Sequence, residues 1–548
     1  MVNGVGAWRT RHSAAQMKEF ARCGRWRGRT VRDFLEERCA SEPDGPILVE
    51  PGRTLSYSEL YGEAAALAAS MQASGLGSGD VVSFQLPNWH EAFVVDVAAS
   101  LLGAVSNPIV PIYRDSEVRH ILADSRSRVF FIPRSFRNFD YPGMMDRLRP
   151  DLPALRDVVI VRDSAASQSN FSDLIERGRR LPLTPAARDA NAVRLLMYTS
   201  GTTGPAKGVL HSDNTLMAEI DGIVDYWNIT PRDVVLTPSP VTHITGYLFG
   251  MQLAVVSGMP TVFMERWNAD EAIDLIEDHG VTLTVSATPF LQELVCKAEE
   301  RRCSLPTLRL FACGGAPVPP ELIHRAYQTL ERCIACRIYG STEAGPITLG
   351  VTDRSDESLA ADTDGRIVGH EVRIVDPVTR SPVAFGEEGE ITARGPNLFL
   401  GYTDEKETAA SFSSDGFFHS GDLGRLFDGD YLLVTGRKKD LIIRGGENLS
   451  PKEIEDCLYT HPAVADVAVV GMPSERMGEA VCAFVVLRAG ASLSIEESTV
   501  FLSGAGLAKQ KSPERLEFVD ELPRTAAGKV RKDVLRIEIA RRLQGKFS

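Results

Sequence analysis

The run Tyr198-Thr-Ser-Gly-Thr-Thr-Gly-Pro-Ala-Lys-Gly-Val209 combines three glycines, four Ser/Thr hydroxyls and one lysine behind the apolar lead-in Val193-Arg-Leu-Leu-Met197. Glycines let backbone N–H groups approach oxygen atoms closely, and successive N–H groups form a concave anion nest. Thr199, Ser200, Thr202 and Thr203 add side-chain donors, Gly201 and Gly204 the freedom to turn, and Lys207 a mobile positive charge. This chemistry suits a polyphosphate. The spacing is not that of the common P-loop, because Lys207 follows Gly204 by three residues and is itself followed by Gly208. Standing alone, a G-T-T-G segment could equally be a flexible surface turn. A second group, Ile338-Tyr-Gly-Ser-Thr-Glu-Ala-Gly345, offers Tyr339 as a stacking face. In it Thr342 can donate to a phosphate, and Glu343 is a hard oxygen ligand for a divalent cation. Phe311-Ala-Cys-Gly-Gly-Ala-Pro317 has paired glycines that leave room for a flat ring against backbone.

Taken in order, these segments resemble the adenylate-forming superfamily (acyl-CoA synthetases, luciferases, peptide-synthetase adenylation domains), and the resemblance spans nearly the whole chain. It implies an ATP/AMP site built from Thr199 to Gly204, Lys207, Gly314, Gly315, Ala316, Tyr339, Gly340, Ser341 and Thr342. Thr202 and Glu343 would serve the metal. The superfamily usually carries a longer side chain where Ser341 stands. Asp422 in His419-Ser-Gly-Asp422 matches the acceptor of both ribose hydroxyls, and Arg437 a second ribose contact. Lys439 matches the hinge of a mobile C-terminal domain. Gly445, Gly446 and Glu447 match the segment lining a pantetheine tunnel for CoA. Lys529, in Leu522-Pro-Arg-Thr-Ala-Ala-Gly-Lys-Val530, matches the catalytic lysine. His243 matches a gating position at the acyl pocket, with Ile244, Tyr247 and Gly315 beside it. Relatives that take hydroxybenzoates place Asn after that His, so Ile244 favours an aliphatic or alicyclic acid.

The implied activity is an ATP-dependent acid–thiol ligase: a small carboxylic acid becomes an acyl-AMP with loss of pyrophosphate, and the acyl group passes to CoA. Catalysis then rests on Lys529, Glu343, Thr342 and Lys207. The alternatives are an acyl- or aryl-AMP ligase loading a carrier protein in trans, a luciferase, and a non-catalytic acyl or nucleotide sensor.

The elements that must position these residues are legible as a rhythm. Strands such as Val81-Val-Ser-Phe-Gln-Leu86, Arg128-Val-Phe-Phe-Ile132 and Leu308-Arg-Leu-Phe311 alternate with helices, among them an Ala-rich one opened by Ser56-Tyr-Ser-Glu59. That alternation predicts an α/β fold of parallel sheets covered on both faces. From about Asp364 to 435 short strands with Gly and Pro turns predict a β-subdomain. We place the large N-terminal domain at 1–438 and a small mobile α+β domain at 439–548, ending in a basic helix from Lys529 to Leu543.

At 548 residues more than one domain is expected. A net charge of −13 and a pI near 5.4 argue against nucleic-acid binding. Nine scattered cysteines fit reduced thiols and a cytoplasmic location, and Cys333-Ile-Ala-Cys336 reads as packing rather than metal or redox chemistry. The uncharged stretch Ile244–Met264 is interrupted by Ser257-Gly-Met-Pro260, and reads as buried helix, turn and strand rather than a transmembrane segment. The Arg-rich N-terminus reads as a capping helix with Trp26 packed on the body, or as a transit peptide. A monomer or homodimer is expected.

Overall fold

Strands that are apolar on both faces organise the larger part of the chain. Val81–Phe84, Val129–Pro133, Leu283–Ser286 and Leu310–Cys313 are buried at every position, as parallel strands covered by helices on both sides must be. The computed structural model, which describes residues 8–163, 170–199, 206–445, 447–474, 476–524 and 529–544, assembles them into two seven-stranded sheets. One runs Ile334–Arg337, Leu310–Cys313, Leu283–Ser286, Val235–Thr237, Thr261–Phe263, Pro46–Glu50 and Arg53–Ser56, parallel except for its last pair. The other runs Gly401–Tyr402, Lys207–Ser212, Val193–Thr199, Val105–Pro108, Val81–Phe84, Val129–Pro133 and Asp157–Val161. Its first two pairings are antiparallel, which puts Thr199 opposite Lys207. The stretch Ser200 to Pro205 lies outside the described residues.

The β-subdomain is a four-stranded antiparallel sheet of Glu371–Val375, Gly389–Arg394, Phe418–Phe427 and Tyr431–Arg437. A five-stranded sheet with its own apolar core follows from Ile442. Three of its strands, Ile442–Arg444, Glu447–Leu449 and Arg515–Phe518, are too short and mixed to be visible as a pattern in the sequence. The final helix begins at Lys532, not Lys529. An antiparallel bridge between Arg524 and Val530, and a hydrogen bond from Arg531 N to Pro523 O, turn the chain back first, so Lys529 sits on the turn. Trp26 packs as expected, with its indole N–H donating to Pro396 O at 2.9 Å. Cys333 and Cys336 are buried free thiols. Among the described residues no helix is long and apolar enough to cross a membrane.

The stretch after His243 forms a π-helix, Gly246–Gln252, then a short α-helix, Leu253–Ser257, and strand Thr261–Phe263. Close approach explains its glycines: a Cβ on Gly246 would lie 2.2 Å from Pro240 O, and one on Gly250 2.4 Å from Thr237 Cγ2. A buried polar network pins this helix. Asp96 accepts from Arg194 at 2.6 Å, Ser106 at 2.7 Å, Tyr247 at 3.0 Å and Gln252 at 3.0 Å. Both Arg194 and Asp96 are buried. Asp96→Ala leaves the Arg194 guanidinium charged and uncompensated, so it should destabilise the fold by about 3–5 kcal/mol. Chemical denaturation followed by tryptophan fluorescence checks this.

Candidate active site

Tyr339 stands at the end of strand Ile334–Arg337, just before the hairpin Gly340–Ser341 and Gly345–Pro346. Its amide donates to Thr348 Oγ1 at 2.8 Å, which fixes the backbone, and its hydroxyl donates to Asp422 Oδ2 at 2.8 Å. Asp422 and Arg437 are register partners on neighbouring strands of the β-subdomain, with Arg437 Nε 3.0 Å from Asp422 Oδ1. Each Asp422 oxygen thus holds one protein donor and keeps a lone pair, so two neighbouring hydroxyls can still be accepted. Burial together with the Asp422 charge pushes the Tyr339 phenol well above its ordinary value, and it stays protonated.

Gly314 cannot be larger, since a Cβ there would lie 2.6 Å from Ile338 O. Gly315 takes φ +81°, and a Cβ on it would meet Lys529 Cε at 3.6 Å. The lysine of the C-terminal turn therefore already reaches the wall made by the glycine pair. Gly315, Ala316, Tyr339, Gly340, Asp422, Arg437 and Lys529 line one cleft of about 980 Å³. Burial, then the charges of Arg437 and Lys439, lower Lys529 to about 8, against the opposing pull of Asp422 and Glu343. An ammonium that must be charged to work loses its proton as pH rises through that value. The pH profile of kcat/KM for adenylation, which reports the free enzyme, should therefore fall off above about pH 8, and the fall should vanish in Lys529→Arg.

Glu343 is held at one oxygen by the Tyr402 hydroxyl at 2.9 Å, and its backbone carbonyl accepts from Phe399 N. Its second carboxylate oxygen takes no hydrogen bond among the described residues, so the donor set fits a hard divalent ion there. Lys207 Nζ lies 2.5 Å from Glu407 Oε2 and 5.3 Å from the Tyr402 ring centroid, beside the same cluster. Thr342 is buried, and His211 Nε2 donates to its carbonyl at 2.7 Å. Tyr402 and His211 escaped the sequence reading. Each acts through a partner more than fifty residues away, and neither sits in a motif with a spacing of its own.

His243 opens the acyl side. Burial and the nearby Lys529 charge lower it to about 4, and its Nδ1 accepts from Thr245 N at 3.4 Å, so it is a neutral ring. Ile244 is buried beside it. Tyr247 is fully buried with its hydroxyl on Asp96, so it backs this wall without opening onto it. Lys439 lies in the single turn Lys438–Asp440 between the two sheets, where Arg536 reaches both its carbonyl, at 3.5 Å, and Asp440, at 3.0 Å. Gly445 (φ +59°) donates to Met477 O, and exposed Glu447 accepts from Gln510. Neither is among the residues lining the cleft that holds Lys529. Ser200, Gly201, Thr202, Thr203, Gly204 and Gly446 lie outside the described residues.

Another trio able to ligate a metal, Glu50, His90 and Glu91, has its ligand atoms within 4.8 Å of one another. Arg162 already fills it, 2.7 Å from Glu50 and 2.8 Å from Glu91, so it is an ion-paired structural cluster.

Residues 35–403 match the AMP-binding enzyme family and residues 453–529 the AMP-binding enzyme C-terminal domain. A medium-chain fatty-acid–CoA ligase of Escherichia coli K12 is 36% identical over 526 residues, covering 95% of this chain and 92% of that protein. An indoleacetate–CoA ligase of Aromatoleum aromaticum is 34% identical, covering 93% and 98%. Among solved structures, ATP-bound MatB from Rhodopseudomonas palustris superposes with a TM-score of 0.82 at 28% identity, covering 93% of this chain and 99% of that one.

Proposed function

The chain belongs to the AMP-binding enzyme family of adenylate-forming acyl-CoA ligases, and from that premise we propose that it activates an aliphatic or alicyclic carboxylic acid as its acyl-AMP and then transfers the acyl group to CoA. The observation that carries the proposal is Lys529, placed against Gly315 within one cleft with Tyr339, Asp422 and Arg437. Two anions, the acid and the α-phosphate, must approach in line, so the barrier is lowered by fixed positive charge and by positioning. Lys529 bridges the substrate carboxylate and the α-phosphate, Asp422 and Arg437 hold the ribose, and the Gly314–Gly315 wall accepts adenine. Lys207, Thr342 and the hydroxyls of Thr199 to Thr203 grip the β- and γ-phosphates. Glu343, with Thr202, would hold the Mg²⁺ that arrives with ATP and neutralises the leaving pyrophosphate.

Neutral His243 and Ile244 give the acyl side an apolar entrance with no amide to read a ring hydroxyl. The medium-chain specificity of the Escherichia coli relative points the same way. A hydroxamate assay across short, medium, alicyclic and hydroxyaryl acids tests the acid class, and CoA-dependent AMP release by the purified enzyme tests the acceptor. Release of AMP only when a carrier protein is added would replace CoA by that carrier. No hydroxamate with any acid would leave a sensor.

A further inference from the structure

Helix Asp213–Trp227 carries Glu219 into the interior, 3% exposed, with neither carboxylate oxygen meeting a hydrogen-bond partner among the described residues. Burial raises it well above the ordinary carboxylate value, and no cation among the described residues opposes this. Leaving such a group unpaired costs stability. A side chain kept at that cost, in a helix otherwise buried through Leu216, Ile220 and Ile223, needs a reason that packing does not supply.

Its surroundings supply one. A Cβ built on Gly345 would fall 2.3 Å from Glu219 Cδ, so the carboxyl occupies the face of the hairpin toward which residue 345 would project. Gly345 is the register partner of Ser341, and directly opposed residues of an antiparallel pair project to one face. The Ser341 hydroxyl is also buried without a partner. Two orphaned polar groups therefore share one face of the hairpin that begins immediately after Tyr339. The helix bearing Glu219 packs as well on the π-helix Gly246–Gln252 that follows His243 and Ile244. The pair thus lies where the helix that packs on that π-helix meets the hairpin that follows Tyr339.

We propose that Glu219 and Ser341 form a polar subsite that reads a hydroxyl or carbonyl oxygen on the body of the acid, so that the preferred substrate is an oxygen-bearing aliphatic or alicyclic acid and not a plain hydrocarbon chain. The inference rests on the ligase reading above. A neutral carboxyl suits the task because it donates to a carbonyl and accepts from a hydroxyl, while the Ser341 hydroxyl does either. A plain alkyl group would leave both groups dry and unpaired, the situation in which hydrogen-bonding sites reject analogues most strongly.

The test uses matched pairs of acyl-sulfamoyl adenosines, stable mimics of the acyl-adenylate, with straight-chain or cyclohexyl acyl groups with and without one keto or hydroxyl group. Binding is measured by calorimetry on the whole enzyme, so no turnover is required. At least one oxygenated member should bind about tenfold or more tightly than its deoxy partner. Glu219→Leu should abolish or reverse that preference and raise the melting temperature, and Glu219→Gln should keep part of it. Ser341→Ala, a smaller change on a short hairpin strand, should narrow the preference even if Glu219→Leu folds poorly. Deoxy members that bind as well as every oxygenated partner, or a preference untouched by Glu219→Leu and Ser341→Ala, overturns the subsite while nucleotide binding leaves the ligase reading standing. Tighter binding of an ammonium-bearing member would also overturn it, since that calls for an ionised Glu219. Failure of every adenosine mimic to bind defeats both readings.

Discussion

Lys529→Ala should lower acyl-adenylate formation by about 10²–10³, equivalent to about 3–4 kcal/mol of lost transition-state stabilisation, while ATP still binds and the fold persists. The magnitude follows from what the lysine faces. Its Cε stands 3.6 Å from the position of a Cβ on Gly315, in a cleft shared with Asp422 and Arg437. Burial and the charges of Arg437 and Lys439 lower its proton affinity, to about 8, against the pull of Asp422 and Glu343. In the proposed reaction the two anionic reactants add to that pull and hold the ammonium charged. In the proposed site the contacts to ribose, adenine and the terminal phosphates come from other residues, so KM for ATP should move far less than kcat. ATP–pyrophosphate exchange reads the loss. Thioester formation from synthetic acyl-AMP and CoA supplies the control, because in the proposed mechanism that step does not use Lys529 and should stay within a few-fold of wild type. Loss of both reactions together would reassign the residue to folding or to domain placement.

How much of this was readable beforehand depended on the range of each interaction. Glycines and hydroxyls that act through their own backbone, as Gly314 and Gly315 do, announce themselves locally, and so did the strand and helix rhythm that carries them. The turn Lys438–Asp440 falls where the sequence placed the boundary between the two domains. What stayed hidden was cooperation across the chain. Tyr402 pins Glu343, His211 holds the Thr342 carbonyl, and Asp96 ties Arg194 to Tyr247 and Gln252, all through side chains that look ordinary where they stand. Tyr247 is an example: its place next to His243 is local, whereas the hydrogen bond of its hydroxyl to Asp96 spans the chain. The early start assigned to the last helix failed for a related reason. The basic run from Lys529 has helical propensity, but the bridge between Arg524 and Val530 overrides it and frees Lys529 to enter the cleft. Glu219 was invisible as a site because a lone Glu on a helix is normally solvated.

Lys439→Pro should spare adenylation and cut thioester formation from preformed acyl-AMP by about 10² or more, since misplacing reacting groups by an ångström has effects of that order. The present arrangement explains both halves. Lys439 is the second residue of a single helical turn, where proline's missing N–H is no loss. This chain already places Pro142 at the corresponding position of helix Tyr141–Leu148. The adenylating arrangement therefore tolerates the ring. The proposed thiol-transfer arrangement is different, because here, with Lys529 inside the cleft, Gly445 and Glu447 lie outside it. We propose that the C-terminal sheet exchanges them by swinging about the segment between Arg437 and Ile442, where a few residues at the boundary would absorb the φ/ψ change. Proline fixes φ at the centre of that segment. The bonds from Arg536 to Asp440 and to the Lys439 carbonyl travel with the moving part, so they do not by themselves oppose the swing. Rapid-quench measurement of each half-reaction in the variant decides the matter. Equal loss of both would mean that the turn is needed to build the adenylation site itself, and unchanged thioester formation would place the pivot elsewhere.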